Sequence, residues 1–299
     1  MENNQFSPGK KAGPIQFGEA EELLDIRYDG IFKAVFTRDT PASKGALSGL
    51  ISALIGRKVA VDTINANEPP RSNAADRRIR FDISCKAVSG ELVNIEMSFN
   101  PNPYEIDRLE YYAARQYSGQ EIQGEGGGYS SLAEAFQIAI IDKAIYFHDD
   151  ALVHSFQYHD PLHDISLGRK SRIVTVELLK ADRIVDKPAT EMDSCEKWTV
   201  FFQYLTNRGK RGKINEILER EEGIAMAGET LSNITRDEIE QAWKTSELKY
   251  ILDRQTELWY AKNERTLEIA RKMKNAGKPI SEIEEFTGLS CDAINQMNN

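Results

Sequence analysis

The sequence predicts an α/β fold in which a mixed sheet is flanked by helices and followed by a long helical C-terminal extension. Residues 80–98 have the pattern of a β-hairpin, residues 136–147 and 172–179 are apolar runs of strand length, and helical spacing recurs around them. From residue 214 to residue 275 the chain is charged and almost entirely helical in pattern. We expect a disordered leader at 1–20, an α/β domain at 21–213 and a helical extension at 214–299.

Composition excludes several classes of protein. At 299 residues with 40% hydrophobic content, the chain is long enough to bury a full core. It has no apolar run near the roughly 20 residues that cross a bilayer, and its first residues are polar, so we expect a cytoplasmic protein without a membrane partner. Three widely separated cysteines favour neither disulfides nor a zinc site.

Two helices and a strand are predicted before the hairpin. Residues 28–36 carry apolar side chains at helical spacing, and residues 43–55 show a stronger pattern that ends at Gly56, a favourable C-cap residue. Residues 59–64 are expected to form a short strand, and residues 69–75 a loop that leads into the hairpin.

The hairpin of residues 80–98 carries the most informative pair of side chains. Its flanks are rich in β-branched and aromatic residues, and Ser89-Gly90 is a turn signal. Pairing of the two strands brings Asp82 close to Glu96. Because two neighbouring carboxylates repel, such a pair requires a raised pKa, a cationic partner or a divalent metal. We interpret it as a metal site, although two solvated acids on a surface hairpin are the simpler alternative.

The second half of the predicted domain alternates helix and strand. Residues 104–117 have helical spacing and place Arg108 one turn before Tyr112. The apolar runs at 136–147 and 172–179 are expected to be central strands. Residues 193–205 return to helical spacing.

The histidines cluster in one stretch that looks at first like a metal site. No pair lies at i, i+4 within a clear helix, and Pro161 interrupts the one pair with that spacing. We therefore favour a loop of solvated histidines: His148, His154, His159 and His163.

The net charge of −9 argues against tight non-specific binding of nucleic acid by the whole molecule. A local basic patch is still compatible with that charge. Residues 207–213 and 73–80 are locally basic, and the second segment places Arg77, Arg78 and Arg80 beside the predicted acidic site.

The C-terminal segment has the pattern of three short helical stretches, residues 267–276, 280–286 and 290–297. A Gly-containing turn separates the last two, and Ser290 is a favourable N-cap. This is the shape of a helix-turn-helix unit. Because the last helix has no Lys or Arg, a small helical element for oligomerisation or capping is an equal alternative to DNA reading.

Six short motifs occur in order along the chain. They are Asp29-Gly-Ile-Phe-Lys-Ala-Val-Phe36, Phe81-Asp82-Ile83, Ile95-Glu96-Met97, Arg108-Leu-Glu-Tyr111, Val176-Glu177-Leu178-Leu179-Lys180 and Ile283-Glu-Glu-Phe-Thr287-Gly288-Leu289-Ser290. Their order and spacing resemble the recombination-promoting nuclease and transposase family of the PD-(D/E)XK superfamily, from about Asp25 to the end. The resemblance implies a restriction-endonuclease-like α/β core and metal-dependent cleavage of DNA.

The resemblance also implies roles for individual residues. Asp82 and Glu96 match the metal-binding carboxylates, and Asp29 matches an acidic position on the first helix, with Mg²⁺ (or Mn²⁺) as the cofactor. The third active-site position is usually Gln or Lys in these proteins, and here it is Ser98, which is shorter and uncharged. Lys33 or Arg80 is the candidate to replace that group. DNA is the implied partner, with Arg78, Arg80 and Arg108 as candidate contacts.

Two further hypotheses remain open from the sequence. The chain could be a catalytically inactive relative that keeps the fold for DNA binding or self-association, with Ser98 as the sign of lost activity. It could also pair with a second copy through the C-terminal helices, because the helical region from residue 214 to residue 275 is unusually long.

Overall fold

The computed structural model describes residues 15–65, 82–101, 103–120, 128–168 and 170–297. Much of the predicted leader and the whole 69–75 loop, with Arg77, Arg78 and Arg80, lie outside these ranges. The contacts divide the chain into unit 1, residues 1–243, and unit 2, residues 244–299. Within the described ranges, none of the helices combines the length and apolar character needed to span a membrane.

Unit 1 contains the sheet and the helices that pack against it. Its strands are β1 (Val61–Ile64), β2 (Ile83–Ala87), β3 (Leu92–Ser98), β4 (Ala135–Ile141), β5 (Val153–Phe156), β6 (His159–Asp160), β7 (Ile165–Ser166) and β8 (Ser171–Glu177). Its helices are α1 (Asp29–Phe36), α2 (Pro41–Ile55), α3 (Glu105–Ser118), α4 (Ser194–Tyr204), α5 (Arg211–Leu218) and α6 (Glu222–Ser232). The long helix α7 (Arg236–Asn275) begins in unit 1 and continues into unit 2.

The main sheet is mixed and has six strands in the order β1-β2-β3-β4-β8-β5. Strands β3, β4 and β8 run parallel, and the pairs at both edges are antiparallel. In the parallel register Ser98 pairs with Ile141, which in turn pairs with Glu177. The carboxyl ends of the three central strands therefore meet at one edge of the sheet. This mixed sheet flanked by helices confirms the predicted fold class.

The two faces of the sheet bury different side chains. On one face, alternate residues of β3 such as Val93, Ile95 and Met97 join the main core with Phe36 and Trp198 from the helices. The other face is covered by α3, whose Leu109 packs against Ala139 and Ile141 of β4. Because side chains alternate along a strand, Asn94, Glu96 and Ser98 lie on this second face.

The predicted helix ends of α2 and α4 have clear local causes. Thr40 caps α2 by accepting the Ser43 N–H, with Pro41 in the first turn, and Gly56 ends the helix with a φ of 75°. Asp193 and Glu196 form a capping box at the start of α4.

Helices α5 and α6 pack in the main core, although the predicted division placed them in the C-terminal extension. Ile214, Ile217 and Ile224 are all fully buried there. Helix α6 also approaches α2 so closely that a Cβ on Gly49 would lie 2.9 Å from the Gly223 Cα. The contacts divide the chain after Trp243, whereas the predicted boundary was at residue 213.

Two strand predictions need correction. The apolar run at 136–147 continues as strand only to Ile141, and the strand predicted at 172–179 ends at Glu177, before a 3₁₀ turn. The predicted histidine loop contains an edge strand, β5, which includes His154. That imidazole lies 2.7 Å from Asp149 Oδ2 and contacts the Phe147 ring. A short edge strand with alternating polar side chains lacks the apolar run that marked the central strands.

Unit 2 holds the end of α7 with α8 (Ile280–Thr287) and α9 (Cys291–Gln296), where short helices were predicted. Its small core consists of Ala270, Ile283 and Ile294. Ser290 caps α9 by accepting the Ala293 N–H at 3.3 Å. DNA reading and self-association by these helices stay predictions.

Candidate functional site

The β2–β3 hairpin places Asp82 directly across from Glu96. Its register pairs Ile83 with Ile95, so the residues before and after that pair are cross-strand neighbours on the face covered by α3. Asp82 is only 2% exposed and Glu96 only 1%. Two buried carboxylates on neighbouring strands require strong compensation of their negative charge.

Backbone donors and one ammonium group supply part of this compensation. The Met97 N–H donates to Asp82 Oδ2 at 2.9 Å, and the Asp82 N–H donates to Glu96 Oε1 at 3.3 Å. Lys33 Nζ lies 3.4 Å from Asp82 Oδ1. The hairpin thus orients both carboxylates while α1 provides a positive charge.

Helix α1 brings Asp29 to the same place. The helix buries Ile31, Phe32 and Phe36 against the core, which leaves its first turn beside the hairpin. Lys33 Nζ lies 2.8 Å from Asp29 Oδ1, one turn away, and it also contacts Asp82. The Lys33 ammonium therefore bridges two of the three predicted metal-binding carboxylates.

Ser98 is engaged by α3. Its hydroxyl donates a short hydrogen bond to Glu105, and Arg108 Nη2 donates to Ser98 Oγ at 3.3 Å and to Glu105 Oε1 at 2.7 Å. Burial alone would lower the pKa of Arg108, but the carboxylates of Glu105 and Glu96 raise it above its usual value. Arg108 therefore keeps its positive charge beside Ser98 and Glu105.

Sequence reasoning missed Glu105, which is 1% exposed and holds both Ser98 and Arg108. A signal for it exists, because Glu105 stands three residues before Arg108 in a predicted helix, at the spacing of an ion pair. Asp142 was also missed. It follows β4, is buried, and pairs with Arg27 at 3.0 Å.

The side chains present suit a divalent cation in their chemistry. Carboxylate oxygens are the ligands that Mg²⁺ and Mn²⁺ prefer. Asp29 and Asp82 provide them on either side of the Lys33 ammonium, and Glu96 lies across the hairpin from Asp82. Within the described ranges, no three Asp, Glu, His or Cys side chains already converge on one point as metal ligands. A metal would therefore have to replace Lys33 as the cation at Asp82.

The structure brings most of the predicted site residues together. Asp29, Lys33, Asp82 and Glu96 form one group, and Ser98 joins Arg108 through α3. The predicted DNA contacts Arg78 and Arg80 lie outside the described residues, so their roles stay predictions.

Comparison with known proteins gives one match. A family model described as PD-(D/E)XK nuclease family transposase matches residues 26–261, a range that includes all of the carboxylates and cations described above. No curated protein and no solved structure matches the chain.

Proposed function

Because the chain belongs to the PD-(D/E)XK nuclease family transposases, we propose that it is a metal-dependent DNA endonuclease that hydrolyses phosphodiester bonds. The observation that carries the proposal is the burial of Asp82 beside Glu96, with Asp29 and Asp82 both paired to the Lys33 ammonium. A surface hairpin with solvated acids would leave these carboxylates exposed. Burial of such a group is typical of a site that binds a cation.

In this proposal Asp82, Glu96 and Asp29 hold Mg²⁺ or Mn²⁺. The bound ion would polarise the scissile phosphate and lower the pKa of an attacking water. The Met97 N–H keeps the Asp82 carboxylate in place through its hydrogen bond to Oδ2. Lys33 remains beside Asp29 and contributes positive charge next to the phosphate.

We propose that Arg108 supplies the positive charge at the position where Ser98 itself has none. The Ser98 hydroxyl donates to Glu105, so Ser98 serves to position its neighbours. Arg108 donates a hydrogen bond to Ser98 Oγ, and the negative charge of Glu96 raises the pKa of its guanidinium. In the bound state its guanidinium would donate hydrogen bonds to the phosphate.

Replacing Arg108 with glutamine is expected to lower the cleavage rate by about 10- to 100-fold, the range found for groups that orient metal ligands. Adding Ser98→Lys to this variant should restore part of the rate, because the new ammonium would stand beside Glu96. The measurement is the initial rate of plasmid nicking. A double variant no faster than Arg108→Gln would contradict the assigned charge role, and Ser98→Ala is the matched control for loss of the hydroxyl.

The proposed function is tested most directly with supercoiled plasmid. Protein stripped of metal by a chelator should leave the plasmid intact, and added Mg²⁺ or Mn²⁺ should produce nicked and linear forms. Intact plasmid under both conditions would instead support the catalytically inactive relative, in which Ser98 marks the loss of chemistry. Retained binding of labelled DNA by such a protein would show that the fold serves recognition alone.

A further inference from the structure

A cluster of cations around one aromatic ring lies immediately beside the carboxylates. Phe99 follows Ser98 at the end of β3, and Lys143 follows Asp142 at the end of β4. The two strand ends are tied together, because the Asp142 N–H donates to the Ser98 carbonyl at 2.9 Å. The Phe99 ring also packs 5.0 Å from the ring of Tyr28, the residue before Asp29. The cluster is thus the rim of the candidate site.

Lys143 has an unusual backbone conformation at this rim. Its φ is 60°, in the left-handed region that residues other than glycine and asparagine adopt at a cost of about 1 kcal/mol. The Lys143 N–H donates to Asp142 Oδ1 at 2.9 Å, which supports this turn. The turn places the Lys143 ammonium 3.6 Å from the centroid of the Phe99 ring. Strain of this kind gathers at binding sites, where it fixes a side chain.

The two cations that contact Phe99 differ in how their charge is compensated. Arg27 lies 5.6 Å from the ring centroid, and it forms ion pairs with Asp25 and Asp142. Lys143 is exposed, and no carboxylate of the described residues lies within ion-pair distance of its ammonium. The aromatic ring attracts this ammonium but does not neutralise it. Lys143 therefore presents an exposed ammonium without a direct ion-pair partner among the described residues, on a chain whose overall charge is −9.

The position of this charge favours an anionic ligand. In open α/β sheets, ligands bind beyond the carboxyl ends of the strands, where Lys143 stands. The ligand in question is DNA, which carries a phosphate at every nucleotide, so a strand that reaches the carboxylates must pass the rim. Stacking of a base on Phe99 is disfavoured because Tyr28, Arg27 and Lys143 already surround the ring.

We propose that Lys143 binds a backbone phosphate of the cleaved DNA strand, adjacent to the scissile phosphate. This inference rests on the proposed function for the identity of the ligand. Phe99 and the left-handed turn hold the ammonium in position before DNA arrives, which reduces the side-chain entropy lost on binding. Because a phosphate contact carries no sequence information, Lys143 should set affinity and register on the strand.

The test is the salt dependence of DNA binding. Lys143→Asn removes the charge and keeps a residue that tolerates a positive φ. Binding of a fluorescein-labelled duplex is followed by anisotropy in Ca²⁺ at several salt concentrations, and a gel afterwards checks that the duplex is intact. The slope of log K against log salt should become shallower by about 0.9, the value for one phosphate contact. Lys143→Arg should keep the slope of the unaltered chain.

Lys58 provides a matched control. It is an exposed lysine next to Arg57, whose guanidinium pairs with Glu91 and Glu134 at the opposite ends of β3 and β4. Lys58→Asn removes the same charge and should leave the slope unchanged. The proposal is overturned if Lys143→Asn keeps the original slope, if Lys58→Asn changes it equally, or if the unaltered chain does not bind the duplex.

The plasmid assay separates this proposal from the proposed function. If the unaltered chain cleaves plasmid but Lys143→Asn leaves the salt slope unchanged, the protein is a nuclease and the proposed Lys143 contact is disproved. A chain that never cleaves but shows the shallower slope is a DNA-binding protein in which Lys143 acts as proposed.

Discussion

Asp82→Asn is expected to remove metal-dependent DNA cleavage, with a loss of roughly 10³-fold or more in rate. A bound metal contributes several kcal/mol to the stabilisation of the transition state, and each 1.36 kcal/mol is a factor of ten. Asparagine has almost the same size as aspartate, and its amide oxygen can still accept the Met97 N–H. The change therefore removes one negative charge at Asp82 with little disturbance of the hairpin.

Two measurements together test this expectation. Plasmid nicking reports catalysis, and the rise in melting temperature on adding Mn²⁺ reports metal binding, because a ligand of the native state stabilises it. Asp62→Asn is the matched control, since Asp62 is an exposed aspartate on β1 of the same sheet. An Asp82→Asn variant within tenfold of the original rate, or one still stabilised by Mn²⁺ to the same extent, would rule out the metal-ligand role.

Gly30→Ala is expected to destabilise unit 1 by about 3 kcal/mol, at the upper end of what overpacking usually costs. A Cβ at Gly30 would lie 2.3 Å from the Cα of Ala242 and 2.4 Å from its carbonyl oxygen. Both atoms belong to the backbone of α7, so no side-chain rotation relieves the clash. The gain in helix propensity of about 1 kcal/mol for alanine over glycine is too small to offset it.

Urea denaturation followed by circular dichroism measures this difference. Gly212→Ala in α5 is the control, because among the described residues no heavy atom beyond the adjacent residues and the helix's own backbone lies within 4 Å of the Cβ it would add. That variant should be as stable as the original chain or more stable by about 0.5 kcal/mol. Equal stabilities for Gly30→Ala and Gly212→Ala would contradict the close approach of α1 to α7. If Gly30→Ala then lost cleavage without losing stability, the cause would be a local change at Asp29, the residue before Gly30.

The parts of the site that depend on local pattern could be predicted from the sequence. The hairpin that pairs Asp82 with Glu96 follows from two-residue periodicity around a turn, and the Asp29–Lys33 contact follows from helical spacing. The ordered motifs also gave the family, which the match over residues 26–261 confirms. These features form between residues that are close in sequence, either across one hairpin or one helical turn apart.

The parts that were missed depend on contacts between distant segments. Asp142 reaches Ser98 only because β4 lies parallel to β3, and the sequence contains no signal for that register. Glu105 faces Ser98 only because α3 crosses this face of the sheet. Helices α5 and α6 were assigned to the extension because the charged region that follows them is also helical, yet Ile214, Ile217 and Ile224 pack them into the core and Gly223 lets α6 approach α2.

Lys33 has a consequence for how the protein exists without metal. Its ammonium already acts as an internal counter-ion for Asp29 and Asp82, so these two buried carboxylates do not depend on a metal for their compensation. If the proposed metal binds, folding and metal loading are then separate events, in contrast to small domains that a structural metal holds together. Under the proposed function, the folded protein can be present beside DNA in an inactive, metal-free state. The supply of divalent ions, in competition with Lys33, then determines when the strand is cut.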